Sequence, residues 1–195
     1  MMIIGLTGGI GMGKSTAARV FCRAGIPVFD ADVAVHSLQA RGGRAIGAIE
    51  AAFPGTTRGG AVDRPALRRA VLGKSDALPK LEAILHPMVR DEERAFIARA
   101  RRAGKRAVVL DIPLLLETGG AQRVDYVVVV SAPRSVQMHR LRRRGHMSNA
   151  DIAAIIGRQM PDAEKRSRAD AVIRTGRSRF HTVRAVRRLI RRLLP

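Results

Sequence analysis

The sequence predicts an α/β fold in which a five-stranded parallel sheet is flanked by helices and carries two helical insertions. Three observations carry this reading. Five short apolar runs lack the polar alternation of a half-solvated strand, so each is read as buried on both faces. A glycine-rich turn joins the first run to an amphipathic helix. Two long charged stretches, about 33–100 and 138–168, have helical patterning and break the strand–helix rhythm.

The elements follow in order. "MMIIGL" gives a first strand over Met2–Leu6, and "KSTAARVFCRA" a helix over Lys14–Ala24 with Ala17, Ala18, Val20 and Phe21 facing inward. Gly25 stops that helix, and "IPVFD" is a second strand ending at Asp30. "AVVLDIP", "DYVVVVS" and "ADAVIRT" supply the third, fourth and fifth strands. Ser178–Leu194 is a terminal helix, because Val183, Val186, Leu189, Ile190 and Leu193 recur at helical spacing. Within the first insertion, Pro87 is expected to break the helix beside His86. No internal repeat and no low-complexity linker is present.

Composition narrows the function class. A chain of 195 residues is one domain, or one with a small insertion. No apolar run approaches a membrane span, and no signal-peptide pattern opens the chain. Cys22 is the only cysteine, which fits a reducing compartment. A cytoplasmic protein without a membrane partner is expected, acting as a monomer or weak homo-oligomer. The net charge of +20 invites a nucleic-acid reading. The basic residues are scattered, however, with almost no interleaved aromatics for stacking bases. A solvated surface plus a site for a small polyanion is the preferred reading, with no nucleic acid bound.

The turn after the first strand, "GLTGGIGMGKST", meets the Walker A spacing through Gly8, Gly13, Lys14 and Ser15. Glycines let successive N–H groups point inward as a nest for phosphate oxygens. The helix start adds its positive dipole end. Lys14 brings a cation to the β and γ phosphates, and the Ser15 hydroxyl suits Mg²⁺. This is the signature of a P-loop NTPase fold. The expected nucleoside-triphosphate-binding residues are Gly8, Gly9, Gly11, Met12, Gly13, Lys14, Ser15 and Thr16. Met12 contributes only backbone in this reading, its side chain turned outward.

Phosphoryl transfer to a hydroxyl calls for a carboxylate to take the proton. Asp30 and Asp32 follow the second strand and Asp111 ends the third, at the carboxyl edge where such sheets bind ligands. Asp30 is best read as a helix cap, Asp32 as the candidate base, and Asp111 as a Walker B carboxylate orienting magnesium or its water.

The segments "GLTGGIGMGKST", "VFDAD", "GGAVDRPALRRAVL", "LEAILHPMVR", "DIPLLLETG" and "QMHRLRRRG" occur in the order found in dephospho-CoA kinases, and the chain resembles that family from about Ile3 to Ile173. The resemblance implies ATP-dependent phosphorylation of the ribose 3′-hydroxyl of dephospho-CoA, the last step of coenzyme A synthesis, with Mg²⁺. It implies that Asp32 contacts the acceptor hydroxyl as catalytic base, and that Lys14 and Arg140 complete the catalytic set. Arg64, His86, Pro113, Leu114 and Glu117 would surround the acceptor. His86 is read equally as a capping or core histidine, and Leu114–Leu116 equally as core. Arg142, Arg143 and Arg144 are either phosphate contacts or a solvated face. The implied domains are a nucleotide-binding core (1–31, 88–137 and 169–195), an acceptor-binding domain (32–87) and a lid (138–168). Thr175 stands where the family pattern has an asparagine near the adenine, so one hydroxyl replaces a paired amide contact and the choice of ATP or GTP is left open. Two rival readings are another P-loop small-molecule kinase, which would lack "LEAILHP" and "PLLLE", and a basic nucleic-acid-binding ATPase.

Overall fold

The computed structural model describes residues 1–195 apart from Ser75, Arg144, His146, Met147 and Arg158. The element order is β1 (Met2–Thr7), α1 (Lys14–Arg23), β2 (Val28–Asp30), α2 (Ala31–Gln39), α3 (Ile46–Ala52), β3 (Thr57–Arg58), β4 (Ala61–Val62), α4 (Arg64–Val71) and α5 (Ala77–Arg102). It continues with β5 (Ala107–Asp111), β6 (Tyr126–Ser131), α6 (Arg134–Arg143), α7 (Asn149–Gly157), α8 (Asp162–Ser167), β7 (Ala171–Arg174) and α9 (Arg179–Leu193). The chain forms two compact units, Met1–Phe29 with Ala100–Pro195, and Asp30–Arg99.

The first unit is built on a five-stranded sheet in the order β2-β5-β1-β6-β7. β1 pairs in parallel with β5 and β6, and β6 with β7. Successive residues of β6 explain the missing polar alternation. Val128 and Val130 enter one apolar cluster with Ile4, Leu6, Phe21 and Val186, whereas Val127 and Val129 enter another with Leu115 and Leu116. Both faces are therefore dry, and no position in the strand gains from being polar. α1 and α9 pack together over the first cluster. The inward residues Val186 and Leu189 of α9 are buried, as their spacing predicts.

The second unit has its own core of Leu38, Ile49, Phe53, Val62, Leu67 and Leu85. The helical reading of this stretch needs two corrections. It contains the two-residue antiparallel strands β3 and β4, too short to leave a periodic pattern. In addition, α5 continues through Pro87 for 26 residues. Proline removes one N–H donor, but a helix this long has many other bonds to hold its course.

Candidate active site

β1 delivers the chain into the glycine loop, and α1 starts at Lys14 immediately beyond it. Glycine is required at two points. A Cβ on Gly8 would come within 2.5 Å of the Val130 carbonyl oxygen. Gly13, the residue before α1, has φ +92° and would press a Cβ to 3.2 Å from the Thr175 hydroxyl.

Side chains from distant elements hold the loop between them. The Ile10 N–H donates to Gln159 Oε1 at 2.9 Å, and the Ile10 carbonyl accepts from Gln137 Nε2 at 2.8 Å. Arg140 Nη1 donates to the Gly11 carbonyl at 3.3 Å and to Thr175 Oγ1 at 3.1 Å, while Nη2 donates to the Thr175 carbonyl at 2.6 Å. The Thr175 hydroxyl donates to the Met12 carbonyl at 2.5 Å. Met12 itself is not turned outward as expected. It is 4% exposed, sits in the core with Leu6 and Val130, and its sulfur accepts from the Ala132 N–H at 3.1 Å. An unbranched thioether fits the space beneath the loop, which a small residue would leave empty.

The Lys14 ammonium forms an ion pair with Asp111, a residue 2% exposed at the end of β5. Ser15 is exposed on the first turn of α1, and Thr16 donates its N–H to the Gly13 carbonyl at 3.0 Å. The residues after β5 divide. Leu115 and Leu116 are core, Leu114 is 38% exposed, and the Pro113 carbonyl accepts from the Thr7 hydroxyl at 2.9 Å. Glu117 Oε1 accepts from the Met160 N–H at 3.1 Å and pairs at 2.7 Å with Lys165, whose side chain is fully buried. Arg142 and Arg143 are exposed, and Arg144 lies outside the described residues.

In the second unit, Asp30 caps α2 as the sequence suggests: its Oδ1 accepts from the Asp32 and Val33 N–H groups at 2.9 and 3.1 Å. Asp32 is exposed in the first turn of that helix. Arg64 opens α4, with Nε 3.4 Å from Gln39 Oε1. His86 is exposed within the unbroken α5, so it is neither a core histidine nor a cap.

Sequence reasoning passed over Gln137, Gln159 and Lys165. Each is a single polar residue in a charged stretch, and its partner lies far away in the chain.

The family model for dephospho-CoA kinase matches residues 2–179. A dephospho-CoA kinase from Paramagnetospirillum magneticum is 57% identical over 85% of this chain and 78% of its own. One from Brucella melitensis is 53% identical over 91% of this chain and 88% of its own. Among solved structures, a Thermus thermophilus protein superposes with a TM-score of 0.86 at 33% identity, covering 100% of this chain and 98% of its own. A shikimate kinase from Acinetobacter baumannii shares the fold alone, with a TM-score of 0.56 at 15% identity over 100% of this chain and 93% of its own.

Proposed function

The chain belongs to the dephospho-CoA kinase family, and we propose how its own residues divide the ATP-dependent phosphorylation of dephospho-CoA that completes coenzyme A synthesis. The loop from Gly8 to Thr16 is the donor site, with Gly8, Gly9 and the backbone of Gly11, Met12 and Gly13 around the phosphates. The observation that carries this is the ordered loop at the carboxyl end of β1, running into the N-terminus of α1, where N–H groups and helix dipole favour an anion. Lys14 exchanges its Asp111 partner for β and γ phosphate oxygens, a denser set of negative charge. Arg140, whose guanidinium rests on Gly11 and Thr175, adds positive charge for the transferring group.

The donor set of Ser15 hydroxyl and Asp111 carboxylate is made of hard oxygen ligands and suits Mg²⁺, which takes few protein ligands and completes its shell with water and phosphate. Bound there with ATP, the ion would neutralise charge on the phosphates.

Asp32 takes the proton of the ribose 3′-hydroxyl through its exposed carboxylate. Residues 32–87, within the second unit, are assigned to acceptor binding, with Arg64 and His86 offering polar contacts; in the first unit Pro113, Leu114 and Glu117 are assigned to the acceptor as well. The nucleotide-binding core lies in the first unit, Met1–Phe29 with Ala100–Pro195, so the expected boundary at 87/88 moves to 99/100 because α5 continues through Pro87; residues 138–168 are the lid. The scattered charge favours small polyanionic substrates over nucleic acid. Among the described residues no helix is long and apolar enough to cross a membrane.

The product tests this reading. With ATP, Mg²⁺ and dephospho-CoA, phosphorus NMR should show one new phosphomonoester coupled to the ribose 3′ position. A new phosphate at another position would contradict it.

A further inference from the structure

We infer that Gln137 and Thr175 are positioning residues of the phosphate loop: they fasten its carbonyls on one side and so turn its N–H groups toward the triphosphate. The argument starts from the planar trans peptide, in which a carbonyl and the following N–H point in opposite directions. Gln137 Nε2 holds the Ile10 carbonyl at 2.8 Å, which directs the Gly11 N–H away from Gln137. The Thr175 hydroxyl holds the Met12 carbonyl at 2.5 Å, which directs the Gly13 N–H away from Thr175. Between them, the Met12 N–H closes the turn onto the Gly9 carbonyl at 3.1 Å. Two glycine N–H groups thus acquire fixed directions, although glycine is the residue with the most backbone freedom to lose.

Both clamping side chains are themselves constrained. Gln137 and Thr175 are each 2% exposed, so water does not compete for their donors. The Thr175 oxygen accepts from Arg140 Nη1 at 3.1 Å, and its one proton goes to the Met12 carbonyl at 2.5 Å in preference to the Ser131 carbonyl at 3.4 Å. Gln137 must present its NH₂ to Ile10, because a carbonyl can only accept, and Arg134 Nη1 lies 3.4 Å from the remaining Gln137 oxygen. Gln159 takes the Ile10 N–H and completes the support on that side. The nest is therefore organised before any ligand arrives, which lowers the ordering cost of binding. Thr175 acts here through the loop rather than through the nucleotide base.

The inference rests on the loop being the ATP site, and the experiment separates the two. Dissociation constants for MgATP and for magnesium tripolyphosphate, which has neither base nor ribose, are measured by calorimetry on the wild type, Gln137→Met, Thr175→Val and Thr175→Ser. Gln137→Met and Thr175→Val each remove the donor to the loop carbonyl, together with the acceptor for Arg134 or Arg140, at nearly constant shape, and each should weaken both ligands about tenfold while affinity for dephospho-CoA stays within about twofold. Thr175→Ser keeps the hydroxyl and should bind both like the wild type. A Thr175→Val enzyme that loses ATP affinity yet binds tripolyphosphate normally would overturn the inference in favour of a base contact. Wild-type tripolyphosphate affinity in both donor-deleted variants would overturn it outright. Should Gln137→Met not fold, the Thr175 pair decides alone. Failure of the wild type to bind either ligand would instead refute the loop as the ATP site, and the inference with it.

Discussion

Lys165, a side chain that solvent does not reach, holds its ammonium 2.7 Å from the Glu117 carboxylate. The pair ties α8 to the segment after β5, and the Met160 N–H reinforces it from the same side at 3.1 Å. Removing one member of a buried pair strands the other, at a typical cost of about 3–5 kcal/mol. Lys165→Met should therefore lower stability by about that amount in urea unfolding. The double variant with Glu117→Gln should be less destabilised than the sum of the two single changes. Strict additivity would mean that the two charges do not support one another.

Asp32 is exposed, and it enters the α2 cap only through its backbone N–H, since Asp30 supplies the capping carboxylate. Asp32→Asn should accordingly fold and bind ATP like the wild type. Turnover should fall about 10²-fold or more, the usual scale for loss of a general base. Near-normal turnover at saturating substrates would remove Asp32 from that role.

Lys14 is the cation of the loop, and its pairing with Asp111 keeps both charges compensated. Lys14→Ala strips the loop of this charge and leaves the nearly buried Asp111 carboxylate without its ammonium partner. Steady-state kinetics should show kcat/KM for ATP reduced by roughly 10²–10³, comparable to losing a principal electrostatic contact to the transition state. Retained kcat/KM would contradict the donor-site assignment.

Glu50 in the second unit accepts from the Gly55 N–H and the Thr57 hydroxyl, each at 2.7 Å. These bonds, the Gly55 backbone bond foremost, hold its pKa below the ordinary 4.5. A depressed folded-state pKa means that the contribution to stability is present above the unfolded value and is lost as pH falls through the lower, folded one. The urea midpoint of the wild type should exceed that of Glu50→Gln at pH 7, and the gap should close on acidification below pH 4.5. A gap that is constant with pH would contradict this.

The sheet and the loop were legible in the sequence because both are written locally. The run Val127–Val130 carries its two-sided burial in consecutive residues, whereas the edge strands β2 and β7 are only partly buried, and the Walker A spacing lies within eight positions. What escaped is written across the chain. Gln137 meets Ile10 over 127 residues, Thr175 meets Met12 over 163, and Glu117 lies 48 residues before Lys165, as their numbers show. No local pattern distinguishes a buried glutamine or lysine from its solvated neighbours in a charged helix. Met12 was misread for the same reason, since its burial depends on β6 and the Ala132 N–H rather than on the loop. Pro87 was misread because a local rule, proline as breaker, yields to the bonds of a long helix.

The most direct test of the whole account is coupled ADP release by the wild-type protein with MgATP and four acceptors: dephospho-CoA, AMP, dTMP and shikimate. Turnover should depend on dephospho-CoA, with the other three near the acceptor-free background. Turnover on AMP, dTMP or shikimate without turnover on dephospho-CoA would contradict it.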